Sequence, residues 1–176
     1  MIAAGVAATS RGRLTLTAIL AVYGLYYLVV PSHYGLVDHV DLAIHETGHI
    51  VFGPFGEFLG VLGGTLLQLL FPAAFVWYFW RQGDRHAATV AAWWVAQNCW
   101  NVSVYVKDAR AQDLPLVGGG EHDWTYLLEQ LGLLEQDQAV GTAVRVAGTL
   151  IFVYATLRGY AYARGSEGPT GPVNTA

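Results

Sequence analysis

Two histidines and a glutamate with the spacing H-E-x-x-H are the residues of this chain best suited to chemistry: His45, Glu46 and His49. The sequence around them favours a helix over about residues 38–52, where residues four apart share a face, so both imidazoles can bind one metal ion. We expect zinc, because it takes nitrogen and oxygen ligands and keeps one position open for water in catalytic sites. Glu46 could then accept a proton from that water. The alternative is a coincidental match formed by two core histidines.

A catalytic zinc site needs a third protein ligand, and two residues are candidates. Asp108 ends a polar stripe on a predicted helix, and its alternative role is that of a helix-end carboxylate paired with a neighbouring base or water. His122 follows a glycine run, and Glu121 or Asp123 could hold its second ring nitrogen. Its alternative role is that of an ordinary loop histidine. We favour Asp108, because ordering a loop costs about 1–2 kcal/mol per residue fixed.

The composition points to a membrane protein. The chain has 176 residues, of which 54% are hydrophobic and 12% are charged, and its mean hydropathy is +0.39. These values are typical of a polytopic membrane protein rather than a soluble domain. A net charge of −4 with only nine basic residues argues against a nucleic-acid partner. The single cysteine, Cys99, excludes an intrachain disulfide and a cysteine-based zinc cluster.

The hydrophobic runs predict an all-α polytopic membrane protein in one domain, residues 1–162, followed by a disordered tail over 163–176. The helix that carries H-E-x-x-H is too short to cross a bilayer, so we expect it to be re-entrant. A short interfacial helix is expected over 124–134. Four further runs are long enough to span, and they cover residues 14–30, 57–80, 87–106 and 138–157.

Two topologies are possible, and the basic residues distinguish them. If the metal helix crosses fully, Arg81 and Arg85 lie on the side opposite Asp108 and His122. If it is re-entrant, most arginines share one side, away from the metal helix, and the positive-inside rule then places both termini in the cytoplasm. We favour this second arrangement, in the plasma (inner) membrane. The arginines that it groups together are Arg11, Arg13, Arg81, Arg85, Arg158 and Arg164.

The run His45-Glu46-Thr47-Gly48-His49 in a membrane helix resembles the site-2 protease family of intramembrane zinc metalloproteases, in which H-E-x-G-H is the common form. The resemblance implies that an aspartate from the second membrane helix after the motif completes the metal site. Asp108 holds the comparable place here. In arrangement the resemblance covers residues 38–110, without the family's Asn-Pro-Asp-Gly type motif and without a PDZ-like insertion.

These observations predict a membrane-embedded zinc hydrolase in which Glu46 activates a metal-bound water, and the resemblance points to a metallopeptidase that cleaves a membrane protein. A second hypothesis keeps the same chemistry but has a lipid amide or ester as the substrate. A third is a metal-binding scaffold or transporter component without catalysis, in which Glu46 has no required role. The sequence specifies no oligomeric state.

Overall fold

The computed structural model describes residues 2–31, 33–116 and 121–165, with backbone alone for residues 2–10. Within these ranges the regular structure is entirely helical, which confirms the predicted all-α class. Short 3-10 turns precede α3 and α6, at Gly53–Phe55 and Leu134–Gln136. The six α-helices are α1 (Ile2–Val29), α2 (Leu36–Phe52), α3 (Glu57–Arg81), α4 (Arg85–Lys107), α5 (Asp123–Gln130) and α6 (Asp137–Ala163).

Among the described residues, three helical segments are long and apolar enough to cross a membrane, so three of the four predicted spans meet this criterion. They are Arg11–Val29, Glu57–Arg81 and Leu134–Ala163. The remaining predicted span, over residues 87–106, forms as α4, but its sequence is more polar than the sequences of the other three. Its buried positions include Gln97 and Asn98, which are completely enclosed. α4 is therefore the interior helix of the bundle, and the three apolar helices surround it.

Helix α4 runs parallel to α1 and antiparallel to α6. At the start of α4, Arg13 lies 3.6 Å from Asp84, and further along α4 the indole of Trp93 donates to the carbonyl of Leu20 at 2.8 Å. In α6 the order is reversed, because Gly141 packs on the end of α4 and Gly159 packs near its start. The start of α1 and the end of α6 consequently lie at the end of the bundle where α4 begins, which we call the arginine end.

Helix α3 also runs antiparallel to α4, so it begins at the opposite end of the bundle, which we call the site end. Gln68 in α3 donates to Asn101 near the end of α4, whereas Phe75 packs on Trp94, earlier in α4. Because α1 ends and α3 begins at the site end, the intervening α2 starts and finishes there. α2 therefore does not connect one end of the bundle to the other.

Glycines allow α2 and α3 to pack closely. A Cβ atom on Gly48 would overlap the carbonyl oxygen of Gly63, and one on Gly64 would press on the rings of His45 and His49. Small residues at a helix contact let backbones approach in this way. The spacing of glycines in the sequence predicts a smooth face that begins at Gly56. In the structure Gly56 lies just before the first residue of α3. Its φ of 107° is a backbone conformation that residues with a side chain rarely adopt.

Two predicted segments differ in extent or lie outside the described residues. The short helix expected over 124–134 is α5, which ends at Gln130 because Gly132 turns the chain with a φ of 65°. The predicted tail over 163–176 overlaps the structure only at its start, where Ala163 ends α6, and residues 166–176 are not described.

We expect Gly48→Ala to destabilise the protein by about 1–3 kcal/mol, the usual cost of overpacking a close contact. Gly53→Ala is the matched control, because Gly53 has helical torsion angles and open space where a Cβ would lie. This control should be neutral or slightly stabilising. Thermal unfolding in detergent measures both variants. Equal melting temperatures would contradict the close packing of α2 on α3.

Candidate metal centre

The two histidines of the H-E-x-x-H motif meet the carboxylate of Asp123. Asp123 Oδ2 lies 2.8 Å from Nε2 of His45 and 3.3 Å from Nε2 of His49. Each of the three residues offers one ligand atom, and these atoms all lie within 4.8 Å of one another. Residues 45 and 49 share one face of α2, whereas Asp123 is the first residue of α5. The site thus joins two parts of the chain that are distant in sequence.

The other ring nitrogen of each histidine already has an acceptor. Nδ1 of His45 donates to Oε1 of Gln68 at 2.9 Å, and Nδ1 of His49 donates to the backbone carbonyl of Gly60 at 2.9 Å. A carbonyl oxygen only accepts, so the proton of each ring lies on Nδ1. This arrangement directs the lone pair of each Nε2 toward Asp123, as in histidines that bind a metal.

The donor set fits a divalent cation. Without a metal, a hydrogen bond from each Nε2 to Asp123 requires a second proton on both rings, which makes two imidazolium groups face one carboxylate. A zinc ion would bind the two Nε2 atoms and the carboxylate oxygen of Asp123 while both rings stay neutral. Zinc takes nitrogen and carboxylate ligands at about 2.0–2.2 Å, and catalytic sites typically provide three such ligands and leave one position for water.

The electrostatics of Asp123 favour its anionic form. Burial alone would raise the pKa of this carboxyl, but without a metal the hydrogen bonds from Nε2 of His45 and Nε2 of His49 outweigh burial and lower the pKa to about 2. Asp123 is therefore a carboxylate at physiological pH, which is the form that binds metals.

Asp108 and His122, the two third-ligand candidates from the sequence, contact each other rather than the imidazoles of α2. Nε2 of His122 lies 3.3 Å from Oδ2 of Asp108. Asp108 also accepts from the backbone nitrogens of Asp113 and Leu114, at 3.0 and 3.1 Å, so it holds the turn that follows α4. His122 accepts from the nitrogen of Thr125 and thereby caps α5. The pair fixes the segment that presents Asp123.

Tyr105 supports the same segment from α4. Its ring lies 4.2 Å from that of His122 and 6.0 Å from that of His45, measured between centroids. Its hydroxyl accepts from the backbone nitrogen of Asp123 at 3.2 Å. Tyr105 belongs to the polar stripe predicted on this helix, and it connects the imidazoles of α2 to the start of α5.

Glu46 lies on the exposed side of α2, one position after the buried His45. The same side carries Val40, Thr47 and Ile50, which are also exposed. The site is therefore enclosed by α3, α4 and α5, while the side of α2 that bears the glutamate is open.

Sequence reasoning proposed His45, Glu46 and His49 and gave Asp123 only the role of supporting His122, whereas the structure brings Asp123 to the imidazoles of His45 and His49. The signal was present, because three consecutive residues with metal-binding side chains, Glu121, His122 and Asp123, stand at the start of α5. A helix turns by about 100° per residue, so a shift of one position decides which of them faces the site. That orientation depends on how α5 packs against the bundle.

Comparisons with protein-family models, with curated proteins and with solved structures each found no match to this chain.

Proposed function

We propose that this protein is a membrane-embedded zinc hydrolase, specifically a metallopeptidase similar to the site-2 proteases, with a membrane protein as its substrate. The observation that carries this proposal is the convergence of His45, His49 and Asp123, with both Nδ1 atoms engaged elsewhere. The neighbouring Glu46 is the residue that distinguishes hydrolysis from metal storage. The H-E-x-G-H form of the motif supports the peptidase assignment.

The residues divide into holding and proton-transfer roles. His45, His49 and Asp123 would hold the metal, which when bound polarises the scissile carbonyl and lowers the pKa of a coordinated water to about 7. Glu46 accepts the proton that the attacking water loses. The same carboxyl then donates this proton to the leaving nitrogen as the carbon–nitrogen bond breaks.

In the membrane we place α1, α3, α4 and α6 as four spans and α2 as a re-entrant helix. The polar side chains of α4 are compatible with a span because the other helices cover them. The arginine end carries six of the nine basic residues, and the guanidinium of Arg85 stacks on Trp80 at 3.7 Å, as expected at a membrane interface. The positive-inside rule assigns this end to the cytoplasm.

The open side of α2 supports a substrate that arrives within the plane of the membrane. Val40 and Ile50 are 47% and 78% exposed, and Glu46 lies between them in sequence. Apolar residues on both sides of the exposed glutamate suit a hydrophobic segment, and the same helix carries the buried imidazole of His45 and the half-buried imidazole of His49.

Purified protein should contain about one zinc per chain. Asp123→Asn removes a proposed ligand, so it should weaken zinc binding by far more than the roughly 10–100-fold expected for the loss of a group that only supports a ligand. Asp108→Asn is the matched control, because Asp108 is also a carboxylate at the site end but faces His122. Chelator competition in detergent measures both affinities.

Full zinc occupancy in the His45→Ala/His49→Ala double variant would disprove the metal centre. A larger loss in Asp108→Asn than in Asp123→Asn would instead restore Asp108 as the third ligand.

Glu46→Gln should retain zinc and reduce hydrolysis by roughly 10²–10⁴-fold, because an amide cannot accept the proton of water. The assay uses transmembrane peptides in phospholipid vesicles, with ceramide in parallel vesicles as a lipid amide. Thr47→Val is the control, since Thr47 is exposed beside Glu46 and its hydroxyl donates a hydrogen bond to the carbonyl of Ala43 in the same helix. Cleavage of ceramide alone would favour the lipid hydrolase, and undiminished turnover in Glu46→Gln would exclude the proposed mechanism.

The topology predicts which positions an impermeant thiol reagent can reach from one side of the membrane. In a protein with Cys99 replaced by alanine, single cysteines at Gln82 and Gly165 should react from the same side. A cysteine at Asp113 should react from the other side, because it lies at the site end. Labelling of Gln82 and Asp113 from one side would show that α4 does not span.

A further inference from the structure

A carboxylate that is 1% exposed, Asp38, lies two turns before the metal-binding histidines on α2. Its oxygen Oδ2 accepts from the hydroxyl of Tyr27 at 2.6 Å and from the nitrogen of Gly35 at 2.8 Å. Oδ1 accepts from the amides of Gln97 and Asn101, at 2.9 and 3.0 Å. Four donors fill the roughly four lone-pair positions of a carboxylate, so Asp38 acts here only as an acceptor.

An acceptor-only group at one end determines the direction of a hydrogen-bond chain. Because the Asn101 amide donates to Asp38, its oxygen faces away and accepts from Nε2 of Gln68 at 3.0 Å. The oxygen of Gln68 in turn accepts from Nδ1 of His45 at 2.9 Å. All three bonds point toward the carboxylate, and such aligned chains polarise one another in a medium of low dielectric.

A second buried carboxylate provides a contrast. Asp41 is one turn after Asp38 and is completely enclosed, but both of its donors, Trp94 and Asn98, bind the same oxygen, Oδ1. Its other oxygen has no hydrogen-bond partner among the described residues, and neither does the side-chain oxygen of Asn98. Asp41 is the nearer of the two to His45 in sequence, yet among the described residues its hydrogen bonds lead to His45 only by way of Asp38.

We propose that Asp38 is a positioning residue for the metal centre. Through Asn101 and Gln68 it holds the proton of His45 on Nδ1, which leaves Nε2 free to bind the metal and makes the ring a stronger electron donor. This role rests on the proposed function, because it requires that the site bind a metal.

The test compares Asp38→Asn with Asp41→Asn by chelator competition for zinc. In either orientation the amide introduced by Asp38→Asn places its NH₂ group against two donors, and it leaves Asn101 a weaker acceptor or none, so we expect zinc affinity to fall about 10-fold, at the lower end of the range for groups that support a ligand. The Asp41→Asn variant keeps an oxygen that accepts from Trp94 and Asn98. Its NH₂ group replaces Oδ2 of Asp41, the oxygen that has no hydrogen-bond partner among the described residues. It should therefore fold normally and bind zinc like the parent.

A double-variant cycle separates this role from simple support of the fold. Gln68→Leu breaks the chain but leaves the four donors of Asp38 in place, so it should also weaken zinc binding. Asp38→Asn should then cost no further affinity in the Gln68→Leu background. Additive losses, or equal affinities for Asp38→Asn and Asp41→Asn, would overturn the positioning role while the metal centre remains. A parent protein without zinc would overturn both.

Discussion

Polar groups inside an apolar bundle must find partners within it, because unpaired burial costs several kcal/mol per group. Helix α2 brings two carboxylates and an imidazole into such an interior: Asp38, Asp41 and His45. Their partners come from α1, α3, α4 and α5, so the pairing requirement fixes both the rotation and the depth of α2. The polar side chains of α4 donate hydrogen bonds to the two carboxylates, which explains why α4 is the least apolar of the long helices.

Close packing is the second condition, since a hydrogen bond tolerates little error in distance. Gly63 and Gly64 let α3 approach α2 until His45 reaches Gln68 and His49 reaches the carbonyl of Gly60. The helix contact and the orientation of the imidazoles therefore have the same cause. A residue with a side chain at Gly64 would disturb both.

Much of the fold was predictable from the sequence, because the helices follow from the lengths of the hydrophobic runs and from their glycine and proline boundaries. The proximity of His45 and His49 was predictable because a helix has a fixed geometry. That α4 is the interior helix was not predictable from hydropathy, which describes contact with lipid and not contact with other helices. The approach of Asp123 to the imidazoles was missed because its direction depends on the packing of α5, and the partners of Gln68 could not be identified because they come from other helices.

If the proposed metal centre holds an ion, the position of Asp123 links metal supply to the stability of the bundle. His45 and Asp123 are 78 residues apart in the chain, and α5 is otherwise held by its buried Leu127 and Leu128. A bound ion would add a link between the α2–α3 hairpin and the segment after α4, and would stabilise the folded form in proportion to the logarithm of the free metal concentration. A chain made under zinc starvation would lack this link. Its lifetime in the membrane would then depend on zinc supply, independently of any substrate.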